Sequence, residues 1–155
     1  LGSLLVDENM IIEASDGKAT IAEAEKTFES YIDSNFKDWK LNKPGVATEE
    51  TPVKCFELIQ SANLATIFRS FNSLDEACFT QAQIIRFCEK YPHQLRQNGL
   101  ANFFLIKENN EYFAVLVSVG SDGLNVGVRR LDRRSVWHVK CLHRLFVPAI
   151  CTLVV

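Results

Sequence analysis

The side chains best suited to chemistry lie in a basic segment, residues 129–144. Its charged residues are Arg129, Arg130, Asp132, Arg133, Arg134, Lys140 and Arg144, six bases less one acid for a net charge of +5, and it also holds His138 and His143. Guanidinium groups form forked hydrogen bonds with phosphate and carboxylate oxygens, and Trp137 could stack on a nucleobase. The segment therefore predicts a surface for an anionic partner, either a protein or a nucleic acid. The predicted binding residues are Arg129, Arg130, Arg133, Arg134, His143 and Arg144.

Charge is distributed unevenly along the chain, and this gives the basic segment a second interpretation. Residues 1–60 hold 12 acids and 6 lysines (net −6), whereas residues 61–155 hold 11 bases and 7 acids (net +4), so the sum is −2. In this interpretation the arginines pair with the acidic first part of the same molecule and form a solvated, internally neutralised loop. Only the positions of the side chains distinguish the two interpretations.

Cys78 is the basis of an enzymatic alternative. It lies just before a predicted helix, where the positive end of the helix dipole lowers the pKa of a thiol. A Cys–His hydrolase or transferase would use His93 or His143 as its base and Asp75 or Asp122 to orient that base. The structural alternative is that Cys78 is a small apolar residue ahead of the helix cap. Because the sequence has no Gly-rich phosphate loop, His-Glu-x-x-His helix or Gly-x-Ser-x-Gly elbow, it favours binding over catalysis.

A metal site is a third possibility, because Cys141 and His143 flank a single residue and His138 is nearby. One Cys-x-His pair without a second pair of ligands is weak evidence for zinc. The sequence therefore predicts no metal and no cofactor.

Two capping-box patterns mark predicted helices in the first two thirds of the chain. The pattern Thr-x-x-Glu that starts at Thr20 predicts a helix over residues 20–33. The pattern Thr-x-x-Gln that starts at Thr80 predicts a helix that Pro92 either kinks or ends, with Asn98-Gly99 as the stop. Apolar residues within 53–69 predict one or two further helices.

The hydrophobic period changes from helical to alternating in the second half of the chain. The turn Ser121-Asp122-Gly123 between two alternating runs predicts a β-hairpin. The predicted strands span residues 103–107, 112–119, 124–128, 136–140 and 145–150. The predicted fold is α+β, with N-terminal helices packed on one face of a C-terminal antiparallel meander of four to five strands.

Composition is that of an ordinary globular chain, because 47% of the 155 residues are apolar and 23% are charged. These values exclude disorder and collagen-like repeats, and no apolar run is long enough for a membrane span. We interpret Leu1-Gly2-Ser3 as the remnant of a cleaved tag and residues 4–155 as one domain. Five cysteines without a Cys-x-x-Cys pair argue against a disulfide framework and indicate a reducing compartment, the cytoplasm.

Several short motifs follow one another in order along the chain. They are Cys78 to Ile85, Leu95-Arg96, Phe103 to Lys107, Ser121 to Leu124, Val136-Trp137, His143-Arg144 and Val147-Pro148. Together they resemble a family of uncharacterised bacterial proteins with the pattern CxTQxQII…LRxxG…FFLxK…SDGLxVxV…VW…HRxxVP. The resemblance implies a bacterial source and a single unit but no activity, and it includes Arg130, His143 and Arg144 of the basic segment. A bacterial protein delivered into a host cell would meet the same reducing conditions in the host cytosol.

Overall fold

The computed structural model describes residues 2–5, 10–58, 60–132, 136–137 and 143–152. Its class is α+β, as the sequence predicts. The strands are β1 (Gly2–Leu5), β2 (Ile11–Ile12), β3 (Tyr31–Ile32), β4 (Thr51–Leu58), β5 (Ala62–Asn63), β6 (Asn102–Glu108), β7 (Glu111–Gly120), β8 (Gly123–Arg130), β9 (Val136–Trp137) and β10 (Arg144–Pro148). The helices are α1 (Asn35–Asp38), α2 (Leu64–Arg69), α3 (Leu74–Ala77) and α4 (Gln81–Lys90), with 3₁₀ turns at Ile21–Glu23 and Pro92–Gln94. No helix within these ranges is long and apolar enough to cross a membrane.

The region from β6 to β8 folds as its alternating pattern predicts. β6 pairs antiparallel with β7, and β7 pairs antiparallel with β8, so the three strands form two successive hairpins. Asn109 and Asn110 connect the first hairpin with φ angles of +52° and +66°, the left-handed values that a two-residue hairpin turn requires. Gly123 follows the second turn with a φ of +121°, which side chains of other residues rarely allow.

The sheet is larger and more mixed than the predicted meander of four to five strands. Its order is β1-β4-β10-β6-β7-β8-β3, β2 also pairs with β4, and β5 and β9 form a separate two-stranded sheet. β10 runs parallel to β6 and β3 runs parallel to β8, whereas the other pairs are antiparallel. The predicted division into helices first and strands last is only partly confirmed, because strands from the first half, above all β4, complete the sheet.

Both faces of the sheet are buried, whereas the sequence analysis predicts that helices cover only one face. Phe104 and Ile106 of β6 belong to a core on the side of α4, whereas Phe103 and Leu105 belong to a core on the side of α2 and α3. A strand that is buried on both faces has a continuous apolar run in place of an alternation. The helices therefore cover both sides of the sheet.

The helix predicted over residues 20–33 is absent. This stretch forms the 3₁₀ turn at Ile21–Glu23, further turns and β3, which pairs with β8. The Thr20 side chain makes no capping hydrogen bond, and the Ile21 N–H donates to Gln81 Oε1 at 3.0 Å instead. Contacts with α4 and with the edge of the sheet therefore outweigh the local helix propensity.

The apolar stretch from residue 53 to residue 69 is part strand and part helix, although its spacing predicts only helices. Its first part belongs to β4, where Cys55 packs in the α4-side core and Phe56 in the α2-side core. Adjacent apolar residues on opposite faces of a doubly buried strand also fit a helical stripe, so periodicity alone does not separate the two. The second part is α2, whose first turn is capped by Asn63 Oδ1, which accepts from the Thr66 N–H at 2.9 Å.

α4 begins where its capping box predicts. Thr80 Oγ1 accepts from the Gln83 N–H at 3.1 Å, and Gln83 Oε1 accepts from the Thr80 N–H at 2.9 Å. Gln83 Nε2 also donates to Thr51 Oγ1 at 3.0 Å, which connects the first turn of the helix to β4. The helix ends at Lys90, so of the two predicted outcomes at Pro92 it is the end of the helix, and not a kink, that the structure has.

The loop of residues 43–48 is fixed beside the start of α4 by a close approach of two backbone segments. The Gly45 N–H donates to Gly17 O at 2.8 Å, and Ser15 exchanges two backbone hydrogen bonds with the loop at 3.0 and 2.9 Å. Gly17 has a φ of +77°, and a Cβ atom there would lie 1.8 Å from the carbonyl oxygen of Val46. Position 17 therefore requires glycine both for its conformation and for its space.

Gly2–Leu5 pairs antiparallel with β4. Pairing of this kind uses backbone groups and does not depend on residue type. The interpretation of residues 1–3 as a tag remnant, and of 4–155 as one domain, therefore stays a prediction.

We expect Gly17→Ala to lower the free energy of unfolding by about 2–4 kcal/mol, because the added methyl group meets backbone that has no freedom to rotate away. The matched control is Gly99→Ala, since Gly99 has nearly the same φ, +76°, but nothing within 4 Å of its Cβ position. The control should lose only about 1 kcal/mol. Urea unfolding measures both values, and equal losses would contradict the close approach at Val46.

The two capping-box sequences allow a second matched pair. Thr80→Val removes the capping oxygen at nearly constant shape and should lower the free energy of unfolding by about 1–2 kcal/mol. Thr20→Val should change it by less than about 0.5 kcal/mol, because the Thr20 hydroxyl makes no capping hydrogen bond. A similar loss for both variants in urea unfolding would show that residues 20–23 also form a capped helix.

Candidate functional site

Arg129, the first residue of the basic segment, forms its contacts inside the molecule. Its Nη1 donates to Val128 O at 3.0 Å and lies 3.6 Å from Asp33 Oδ2. The Asp33 carboxylate is buried and also accepts from the N–H groups of Asn35 and Val128. A buried carboxylate requires a partner of opposite charge, and Arg129 supplies it here. This contact follows the interpretation in which the arginines pair with the acidic first part of the chain.

Arg130 lies at the surface and is held by two aromatic rings and one carboxylate. Its guanidinium carbon is 4.5 Å from the centroid of the Trp39 ring and 5.6 Å from that of Phe113. Its Nη1 lies 3.0 Å from Glu111 Oε2, and the two side chains are 46% and 59% exposed. Cation–π contacts orient the guanidinium, whereas an ion pair this exposed contributes only about 0–1 kcal/mol. Arg130 is therefore oriented by its rings and only weakly held by Glu111.

Arg144 and His143 lie far from Arg130. β10 is separated from β8 by β6 and β7, which places the two strands about 14 Å apart across the sheet. The register puts Arg144 level with Val126, so Arg130 lies about 13 Å further along the strands. Arg144 Nη1 donates to Gln94 O at 2.6 Å. The structure therefore does not bring the predicted binding residues that it describes into one patch.

The remaining residues of the basic segment lie outside the described residues. They are Arg133, Arg134, His138, Lys140 and Cys141. Binding of an anion by Arg133 and Arg134 therefore stays a prediction, as does the role of Cys141 and His138. Within the described ranges, no group of three His, Cys, Asp or Glu side chains is arranged to hold a metal ion.

His143 is part of the core on the α2 side and is only 5% exposed. Its Nδ1 accepts from the Ala101 N–H at 3.0 Å, and its ring centroid lies 5.5 Å from that of Phe103 and 5.1 Å from that of Trp137. Burial lowers the pKa of His143 below its ordinary value of 6.5, because the charged imidazolium loses its hydration. The structure thus makes His143 a hydrogen-bond acceptor inside the core, whereas the sequence predicts it as a residue that binds an anionic partner.

Cys78 is a neutral thiol. Burial raises its pKa to about 12, and its Sγ donates to Leu74 O at 3.2 Å. A thiol with this pKa is almost entirely protonated near neutral pH, whereas nucleophilic catalysis requires the thiolate. The Cys–His hypothesis requires a lowered pKa for the Cys78 thiol. Because the pKa is raised, that prediction is wrong.

The predicted catalytic partners of Cys78 are bonded to other groups, buried or exposed to solvent. Asp75 accepts hydrogen bonds from Tyr112 Oη and from Lys107 Nζ, the latter at 3.1 Å, and these bonds lower the pKa of its carboxyl group. Of the other three predicted partners, His143 is buried in the core, and His93 and Asp122 are exposed on turns. Among the described residues no hydrogen bond joins Cys78 to a histidine.

A shallow hollow of about 250 Å³ lies beside Arg130, and we refer to it as the arginine hollow. It is lined by Arg69, Glu111, Tyr112, Arg130, Leu131 and Asp132. Arg69 is the last residue of α2 and is exposed, and it forms no ion pair with a carboxylate of the described residues. Two arginine residues from separate elements thus line one hollow, which spacing along the sequence does not reveal.

A larger cleft of about 570 Å³ lies between the 43–48 loop, the start of α4 and the end of β6, and we call it the α4 cleft. Its volume is in the range of small-molecule sites. Its charged lining residues are Lys43, Glu76, Lys107 and Glu108, and its apolar ones include Pro44, Val46, Phe79 and Pro148. The sequence marks the loop and the capping box separately, but only the docking of the loop on Gly17 makes them walls of one cleft.

Comparisons of the chain with protein-family models, with curated proteins and with solved structures give no match. The resemblance to a family of bacterial proteins therefore stays a prediction. Function has to be inferred from the geometry of the arginine hollow and the α4 cleft.

The buried His143 predicts a specific dependence of stability on pH. Its pKa is lower in the folded than in the unfolded chain, so the unfolded state binds more protons as the pH falls below about 6.5. The contribution of His143 to the free energy of unfolding is therefore fully present above that pH. It is lost as the pH falls toward the pKa that His143 has in the folded protein. The loss is about 1.4 kcal/mol for each tenfold difference between the acid dissociation constants of the two states.

The test is urea unfolding of the wild type and of His143→Asn between pH ~7.5 and ~5.5. Asparagine keeps an acceptor near the Ala101 N–H but does not titrate, so its curve should be flatter than that of the wild type. Parallel curves would show that His143 is solvated and titrates normally in the folded protein.

Proposed function

We propose that this protein is a non-catalytic interaction module that binds an anionic partner at the arginine hollow. The partner that fits best is an acidic protein segment that presents carboxylates to Arg69 and Arg130. The observation that carries the proposal is the state of Arg130, which two aromatic rings orient while its only carboxylate partner among the described residues is exposed.

Exchange of one carboxylate for another is the mechanism of binding. Glu111 is 59% exposed, so it can turn into solvent when a carboxylate of the partner takes its place on Arg130. The Trp39 and Phe113 rings hold the guanidinium in place during this exchange, which keeps the ordering cost of binding low. Arg69 then provides a second guanidinium that does not have to leave an internal ion pair.

The chemistry of the hollow favours a protein partner over a nucleic acid. The whole chain has a net charge of −2, and Glu111 and Asp132 stand beside the two arginines. Nucleic acids bind through many phosphates at once and need an extended basic surface. A pair of carboxylates on a peptide needs only the two guanidinium groups of this hollow. Arg133 and Arg134 follow Asp132, a lining residue of the hollow, in the sequence.

The cellular setting in this proposal is the bacterial cytoplasm, or a host cytosol if the protein is delivered there. A reducing compartment is supported by Cys78, Cys88 and Cys151, which form no disulfide bond among the described residues.

The test is fluorescence anisotropy with a labelled peptide rich in Asp and Glu, at ~50 mM salt, where charge-driven binding is strong. We expect the double variant Arg69→Gln/Arg130→Gln to weaken binding at least ~10-fold, which corresponds to about 1.4 kcal/mol. Arg130→Lys should also weaken it, because lysine keeps the charge but loses the fork.

Arg86→Gln is the matched control, since Arg86 is an exposed arginine on α4 that does not line the hollow. Arg69→Gln keeps the test valid if substitution of Arg130 disturbs folding, because Arg69 makes no described ion pair. Equal affinities for the wild type and Arg69→Gln would overturn the proposed site. Tighter binding of single-stranded DNA or RNA than of the peptide would overturn the choice of partner.

A further inference from the structure

The α4 cleft contains a carboxylate that lacks a counter-ion. Glu108 is half-buried at the end of β6, and its Oε2 accepts from Gln81 Nε2 at 2.8 Å. No Lys, Arg or His nitrogen of the described residues lies within 4.0 Å of it. Burial raises the pKa of its carboxyl group, because the charge is partly removed from water without an ion pair in exchange. A cationic group in the cleft would supply that missing partner.

A lysine of the same cleft forms no ion pair with a carboxylate of the described residues. Lys43 Nζ donates to the neutral amide oxygen of Asn109 at 2.6 Å. Its positive charge acts to lower the pKa of Glu108, so the two groups are within electrostatic range, yet they are too far apart to form an ion pair. The cleft thus presents one positive and one negative group across a gap.

The other charges of the cleft do not fill this gap. Lys107 is paired with Asp75 at 3.1 Å. Glu76, a partly buried residue in α3, forms no ion pair with the described residues and adds a second carboxylate to the lining. A simple anion would therefore be repelled by two carboxylates, and a simple amine would leave Lys43 without a partner.

We infer that the α4 cleft binds a small zwitterion, an α-amino acid, whose ammonium group pairs with Glu108 and whose carboxylate pairs with Lys43. Such a ligand carries its two opposite charges on groups attached to the same carbon, so it can pair with both side chains at once. It takes the place of Asn109 on Lys43, whereas Gln81 Nε2 continues to orient the Glu108 carboxylate.

The uncharged lining indicates which amino acids fit. Val46 is 73% exposed on the loop wall, and Phe79 and Pro148 are apolar residues of the same lining. An apolar ligand side chain would cover this surface. The Thr48 hydroxyl on the loop wall is shielded from solvent and has no hydrogen-bond partner among the described residues, which is an uncommon state for a polar group. We therefore expect a preference for apolar amino acids of medium size over acidic ones.

The experiment is a titration of the whole chain with leucine, glutamate and other free amino acids, followed by calorimetry and by amide NMR shifts. Leucine should bind saturably, with shifts at Lys43, Gln81 and Glu108. N-acetyl-leucine lacks the ammonium group and leucinamide lacks the carboxylate, so each should bind at least ~10-fold more weakly than leucine.

Two variants and two matched controls locate the site. Glu108→Gln keeps an acceptor for Gln81, and Lys43→Met keeps the length of an exposed side chain; each should weaken leucine binding at least ~10-fold. Asp122→Asn and Lys37→Met change exposed charges away from the cleft and should leave binding unchanged.

Lys43→Met preserves the test if Glu108→Gln alters folding, because Lys43 lies on the exposed face of the loop. The inference is overturned if no amino acid binds at ~10 mM, or if leucine, N-acetyl-leucine and leucinamide bind equally well. It is also overturned if leucine binds both variants as it binds the wild type.

Discussion

The position of β10 between β4 and β6 is the constraint on which the rest of the structure depends. Antiparallel pairing with β4 and parallel pairing with β6 join a strand of the first half to the hairpins of the second half. Because β6 then lies inside the sheet with both faces buried, two separate cores have to be filled. α4 and the N-terminal segment supply one core, and α2 and α3 supply the other.

Much of the second half could be predicted from the sequence, because its signals are local. The strands β6 to β8 combine alternation with short turns, and α4 has a capping box whose two hydrogen bonds both form. The helix expected after Thr20 shows the limit of this reasoning. The same pattern is present there. However, the Ile21 N–H donates to Gln81, sixty residues later, and the backbone at residues 31–32 pairs with β8. No local pattern contains those two partners.

The candidate sites were less predictable than the fold. The basic segment is continuous in the sequence but is divided in space, since Arg129 neutralises the buried Asp33 and Arg144 lies across the sheet from Arg130. The number of charged residues can be counted from a sequence. The ion pairs that neutralise some of them inside the molecule cannot be predicted from it. Conversely, Arg69 of α2 and Arg130 of β8 line one hollow although they lie far apart in the sequence.

The central place of β10 also determines how the chain has to fold. Residues 144–148 form the last strand of the described chain, and their partners lie at residues 51–58 and 102–108. Until β10 is in place, β4 and β6 each have an open edge of unpaired backbone groups, which is the kind of surface that recruits strands from other chains. Pairing over such sequence separations is slow. The tendency of this protein to aggregate during synthesis or refolding is therefore governed by the lifetime of the incomplete sheet and not by the surface of the native state.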